Sequence, residues 1–293
     1  YNRGNAFLKK GSADRAIKDL TKAIELNPEY SLAYFQRANA YFRKNELDRA
    51  LEDYNNSARI NPSYADVYNN RGWVFFTKGN SALALRDISK AISLNPDLSR
   101  AYANRGWILK SNSECAKALG DFTKAIELDP SSSTVYAYRA ACLVEMGQMD
   151  KAVKDLDKSV SLEADDPNSS TLSTLAVLKE QLGDLKSSVE LFRKVAQLKP
   201  DDAISYYNLG LALGKQGKIR EAIENFTKSI KIRPDFREAF LKRAVAWDIL
   251  GDRLHSRNDF SKALSLQTDK TGGSMIREPV NLEKLRDTLA STR

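Results

Sequence analysis

Apolar residues recur along this chain at helical spacing, in stretches of helix length that come in pairs, and most pairs are closed by a proline. Pro28, Pro62, Pro96 and Pro130 stand 34 residues apart, and Pro200 and Pro234 repeat that interval. Each proline follows an apolar residue two positions earlier, as in "ELNP", "RINP", "SLNP", "ELDP", "QLKP" and "KIRP". Within a pair the two stretches are split by a glycine or asparagine, at Gly11, Asn45, Gly79, Gly147, Gly183, Gly217 and Gly251. The predicted unit is therefore a helical hairpin of 34 residues, and about eight can be counted.

The third unit carries Tyr68, Gly72, Phe75, Ala84, Ile88, Ala91 and Pro96 at fixed offsets. With these residues and this period the chain resembles the tetratricopeptide repeat family over residues 1–267. The resemblance implies an all-α, right-handed superhelical solenoid, followed here by a C-terminal helix. Ala or Gly at Gly4, Ala38, Gly72, Gly106, Ala140, Ala176, Gly210 and Ala244 allows close approach of the paired helices. The sixth unit departs most, with 36 residues between Leu162 and Leu198, "EADDPNSS" in the joint, and Leu172 where a Tyr is expected. Tyr1 falls in the middle of a first helix, so the chain reads as a piece of a longer solenoid.

"NRGW" occurs twice, at 70–73 and 104–107. Its arginine belongs to a column made by Arg3, Arg37, Arg71, Arg105, Arg139 and Arg243, and an aspartate follows each of them sixteen residues later. Units six and seven lack both, having Leu175 with Leu191 and Leu209 with Asn225. This covariation within one chain predicts an Arg–Asp pair, either inside each hairpin or to an adjacent one, that sets geometry rather than binding a ligand.

The resemblance places the second, fifth, sixth and ninth positions of each first helix on a concave surface. Asn2, Asn70, Asn104 and Asn208 share the sixth position, with Gln36 in the second unit. This row is similar to the amide ladder of O-linked N-acetylglucosamine transferase, which implies an extended peptide held by its backbone. The other reading open at this point is that the amides bond neighbouring helices. Trp73 and Trp107 are ninth-position residues expected to face the groove, with Phe35, Asn39, Phe42, Asn69, Phe76, Arg100 and Lys110 around them, or else to pack sideways between hairpins. The candidate peptide-binding residues are these together with Asn70, Asn104 and Asn208, concentrated in units two to four. Laid on the carboxylate-clamp pattern of the family, the positions are Phe35, Asn39, Asn70, Arg100 and Asn104: two asparagines match and Arg100 can replace a lysine, but the first lysine and the last arginine are missing, which leaves too few cations to grip an acidic chain terminus.

Composition narrows the function classes. Net charge is +8 with a pI near 9.3, which steers acidic partners, yet basic and acidic residues are interleaved and no basic stripe for nucleic acid is found. No run approaches the ~20 apolar residues of a membrane helix. Cys115 and Cys142 read as buried free thiols of a reducing compartment, which suggests an intracellular, cytoplasmic setting. His255 reads as a surface residue, and no phosphate loop or catalytic constellation is found, so no catalytic, metal or cofactor role is assigned. The expected function is a non-catalytic adaptor that binds a protein or peptide. The alternatives are a substrate-recruiting or regulatory region of a larger enzyme, and an architectural subunit that uses its convex face.

Beyond residue 267 the pattern stops. Residues 268–274 have linker composition, natural or engineered, and residues 275–293 carry Leu282, Leu285 and Leu289 at the spacing of an amphipathic helix. Met275 to Arg293 is expected to be an end cap, a self-ligand in the groove, or a fused fragment of a partner.

Overall fold

The structure, a computed structural model, describes residues 1–163 and 165–268. Thr268, the first residue of the expected linker, is the last residue of a helix, and the expectations for 269–274 and for Met275 to Arg293 lie outside the described residues. Two compact units are present, and the division falls at Glu163, where the irregular joint begins.

The first unit contains five hairpins: α1 (Asn2–Lys9) with α2 (Ala13–Leu26), α3 (Ser31–Arg43) with α4 (Leu47–Ile60), α5 (Ala65–Thr77) with α6 (Ser81–Leu94), α7 (Ser99–Ser111) with α8 (Cys115–Leu128), and α9 (Ser133–Glu145) with α10 (Met149–Leu162). The second contains three: α11 (Ser169–Gln181) with α12 (Leu185–Leu198), α13 (Ala203–Lys215) with α14 (Ile219–Ile232), and α15 (Arg237–Ile249) with α16 (Arg253–Thr268). The all-α repeat fold expected from the period is the fold observed.

The turns follow from backbone chemistry. Gly79 closes its hairpin at φ 80° and Asn45 does the same at φ 60°, a left-handed conformation that glycine and asparagine tolerate best. In the fourth hairpin the sequence shows neither residue, and Ser113 takes the position at φ 63°.

Packing within a hairpin is set by the small column. A β-carbon placed on Gly72 would stand 2.7 Å from Ile88, and one on Gly106 would stand 2.8 Å from the Phe122 ring. Ile88 and Phe122 are fully buried, so each first helix rests directly on a large side chain of its partner. In the first unit, successive first helices also touch: α1 with α3, α3 with α5, α5 with α7, and α7 with α9. They approach one another more closely than the second helices do, which puts the first helices on the inner side of that unit.

Each arginine of the sixteen-residue column except Arg3, which meets only Asp19 of its own hairpin, is a junction between three helices. Arg37 donates from Nε and Nη2 to both oxygens of Asp53 at 2.7 and 2.8 Å, inside its own hairpin. Its Nη1 donates to the Thr21 hydroxyl of the preceding second helix at 3.0 Å, and Tyr34 stacks against the guanidinium at 5.6 Å. Arg71 repeats this with Asp87, Asn55 and Tyr68, Arg105 with Asp121, Ser89 and Tyr102, and Arg139 with Asp155, Thr123 and Tyr136. In the second unit Arg243 does so with Asp259, Thr227 and Phe240. Both partner positions left open by the sequence are thus used at once, by different nitrogens of one planar fork. Burial raises the Asp53 carboxyl and the Arg37 hydrogen bonds oppose that rise, the balance expected of a buried pair whose role is geometric.

Candidate functional site

The inner face of the first unit holds a cleft of about 330 Å³ lined by Asn39, Phe42, Tyr54, Asn69, Asn70, Trp73, Arg100 and Asn104. A neighbouring depression of about 410 Å³ shares Asn39, Phe42 and Asn70 with it and continues to Asn5, Leu8, Lys9, Gln36 and Arg43. The structure therefore brings seven of the twelve sequence-derived candidates onto one cleft.

The amides do not project independently. Asn104 Nδ2 donates to Asn69 Oδ1 at 3.0 Å, Asn69 Nδ2 to Asn70 Oδ1 at 3.0 Å, and Asn70 Nδ2 to Asn39 Oδ1 at 2.9 Å. Asn39 Nδ2 donates in turn to Gln36 Oε1 at 3.1 Å. One hydrogen-bonded chain thus runs across α7, α5 and α3: its Asn104–Asn69 and Asn70–Asn39 bonds join neighbouring helices, as the second reading of Asn70 and Asn104 expects, whereas its Asn69–Asn70 and Asn39–Gln36 bonds lie within α5 and α3. Each amide nitrogen carries two hydrogens. The chain takes one from each of Asn39, Asn70 and Asn104 and fixes the orientation in which the second is offered.

Tyr54, on the second helix α4, forms the floor, and its hydroxyl donates to Asn39 Oδ1 at 2.5 Å. Burial pushes this phenol well above the usual tyrosine range, so it stays a neutral donor. Tyr54 is not among the residues that the repeat pattern singles out for the groove. It stands where Leu20, Ile88 and Phe122 stand in other hairpins, and a lone hydroxyl in that apolar column is the signal that could have found it.

Several candidates are placed differently from expectation. Phe35 is 6% exposed and packs against the Tyr54 and Tyr64 rings at 6.0 and 5.0 Å, so it belongs to the core. Asn69 is 2% exposed and acts as a link between its neighbours. Trp73 keeps one side on the cleft and meets Phe76 at 5.4 Å. Trp107 packs sideways onto Tyr138 of the next hairpin at 4.4 Å, with Lys110 over its ring at 5.7 Å. Asn208 lies on α13 of the second unit.

Both candidate cations meet carboxylates of the same unit. Arg100 pairs with Asp66, and Lys110 with Glu145 at 3.4 Å. Glu145 also accepts from the Cys115 thiol at 3.1 Å. Burial pushes the Cys115 and Cys142 thiols up, which keeps both protonated and unreactive. His255 sits 2.7 Å from Asp252 and stacks on Trp247 at 4.8 Å, at an exposed position. Among the described residues, no group of three or more His, Cys, Asp or Glu side chains is placed to hold a metal ion, and no helix is long and apolar enough to cross a membrane.

Repeated hairpins held by a small-residue column, with an amide-lined inner face, define a helical-repeat protein. The chain belongs to the tetratricopeptide repeat family. Models of that family match it as TPR repeat over 4–45, 38–79 and 181–217, and as tetratricopeptide repeat over 65–98, 121–154 and 203–236. Repeats of this kind form protein-interaction scaffolds and are, as a fold, generally non-catalytic. No curated protein matches the chain.

Among solved structures, the C-terminal part of a TPR repeat-containing protein from Cytophaga hutchinsonii is similar with a TM-score of 0.67 and 19% identity, over 80% of this chain and 96% of that one. PilF of Pseudomonas aeruginosa is similar with a TM-score of 0.63 and 22% identity, over 68% and 90% of the two chains. YrrB, a TPR protein with an unusual peptide-binding site, is similar with a TM-score of 0.57 and 23% identity, over 62% and 93%.

Proposed function

We propose that the chain is a non-catalytic adaptor that holds an extended peptide of a partner protein in the inner cleft of hairpins two to four. The observation that carries this reading is the amide chain from Asn104 to Gln36, which presents oriented N–H donors beside the open side of Trp73. Donors of this kind suit main-chain carbonyls, which occur in every peptide, while Trp73 and Phe42 supply apolar area for one side chain. The cation of this cleft, Arg100, is engaged by Asp66, so backbone capture is favoured here over recognition of an acidic sequence. YrrB, whose described property is a peptide-binding site, shares the fold that the reading requires.

The test is selection of binding peptides from a random library, followed by two substitutions in the selected peptide. Exchanging its backbone amides for esters should weaken binding at most positions, whereas exchanging side chains for alanine should matter at one or two. Peptides that bind Trp73→Ala protein as tightly as the wild type would remove the cleft from consideration.

A further inference from the structure

On the outer face of the first unit, a second cleft of about 390 Å³ opens between α8 and α10. Leu119, Thr123, Arg139, Leu143, Gln148, Lys151, Lys154 and Asp155 line it. The positions that line it recur at the 34-residue period between every two successive second helices of that unit, so their chemistry can be compared along the chain.

Between α2 and α4 the corresponding residues are Tyr41, Glu46, Arg49 and Glu52. There Arg49 pairs with Glu46 at 2.7 Å and lies over the Tyr41 ring at 5.6 Å. Between α4 and α6 they are Phe75, Asn80, Leu83 and Arg86, and between α6 and α8 they are Leu109, Glu114, Lys117 and Gly120, with Lys117 paired to Glu114 at 2.5 Å. In the fifth hairpin the aromatic residue of hairpins two and three is Leu143, and the glutamate three residues before the cation is Gln148. Lys151 therefore donates to a neutral amide oxygen at 2.8 Å, and its charge is not cancelled.

Arg139 and Asp155 cancel each other through two bonds of 2.7 Å, which leaves the positive charges of Lys151 and Lys154 on the lining. Thr123 adds a hydroxyl: its oxygen accepts from Arg139 Nη1 at 3.2 Å, and its hydrogen remains to be donated. Two ammonium-bearing side chains and a hydroxyl on one lining with Leu119 and Leu143 match a dianion with three terminal oxygens joined to a less polar residue. Asp150 and Asp157, on the same helix but outside the lining, disfavour a long acidic tract.

The geometry points to this outer cleft as a binding site for a single phosphomonoester group, on a phosphorylated partner polypeptide or as free phosphate. The site is separate from the inner cleft and does not depend on the reading given for it.

The test uses the full chain at physiological ionic strength and three probes in calorimetry: a phosphoserine peptide, the same peptide with glutamate in place of phosphoserine, and inorganic phosphate. Saturable binding of the phosphopeptide is expected, weakened about tenfold or more by Lys151→Gln with Lys154→Gln, and likewise by Gln148→Glu, which restores the neutralising carboxylate of hairpins two and four. Trp73→Ala, and Lys228→Gln with Lys231→Gln on α14, should leave it unchanged, with all variants melting as the wild type does. Inorganic phosphate binding as tightly as the phosphopeptide would assign the site to the free ion. Glutamate peptide binding equally well, affinity insensitive to Lys151 and Lys154, or absence of saturable binding would each overturn the proposal.

Discussion

Arg71 grips Asp87 with two nitrogens of one fork, Nε at 2.6 Å and Nη2 at 3.0 Å, and both side chains are nearly out of solvent, 14% and 4% exposed. Arg3 makes the same pair with Asp19 while remaining 78% exposed. Burial of the fork therefore comes from the hairpin in front of it, whose second helix contributes Asn55 to Arg71.

Removing one partner of this pair should cost much more than removing both. Arg71→Leu strands Asp87 and is expected to destabilise by about 3 kcal/mol, and adding Asp87→Leu should recover part of that. Hairpin six already contains the apolar solution, Leu175 with Leu191. Urea unfolding of the two single variants and the double variant measures the coupling, and strictly additive losses would contradict it.

The small column should be intolerant where a ring rests on it. Gly106→Ala puts a methyl group 2.8 Å from the Phe122 ring and is expected to destabilise by about 1–3 kcal/mol. Gly120→Ala, whose new methyl meets open space inside a helix, should instead stabilise by about 0.5–1 kcal/mol. Thermal unfolding of the two variants distinguishes the signs directly.

The two tryptophans of the repeated phrase should report differently on a groove ligand. Trp73 borders the cleft, whereas Trp107 is covered by Tyr138 and Lys110. A peptide bound in the inner cleft should change the fluorescence of the Trp107→Phe variant and leave that of Trp73→Phe nearly unaltered. The opposite pattern would move the site toward hairpin five.

Acid should weaken the cap of α12. The hydroxyl and the amide of Ser187 hold the Asp184 carboxyl below the usual range, and the Ser187 amide donates to it at 3.1 Å. A depressed carboxyl contributes stability that is fully present above the unfolded value near 3.8 and is lost as pH falls through the folded value. Asp184→Ala should cost about 1 kcal/mol at neutral pH. Asp184→Asn should keep most of the cap there and lose the acid dependence, which denaturation at pH 7 and at pH 3 would show.

The sequence by itself determined the hairpins, their period, the glycine turns and the sixteen-residue Arg–Asp pairs, because each is repeated within one chain. The same backbone geometry recurs every 34 residues, so a residue type constrained by that geometry recurs with it. Even the exceptions at Leu175 and Leu209 kept the rule, since both partners changed together. What occupies the inner face obeys no such repetition. Whether a ninth-position tryptophan faces the cleft or lies on its neighbour depends on a single residue one hairpin away. Tyr138 covers Trp107, whereas Trp73 retains a side on the cleft. Likewise Asp66 captures Arg100, Tyr54 anchors Asn39, and Asn69 sinks between its neighbours. Only the tertiary structure decided these matters, because hydrogen bonds and ring contacts between hairpins are settled by which side chains meet in space, and that competition leaves no periodic trace in the chain.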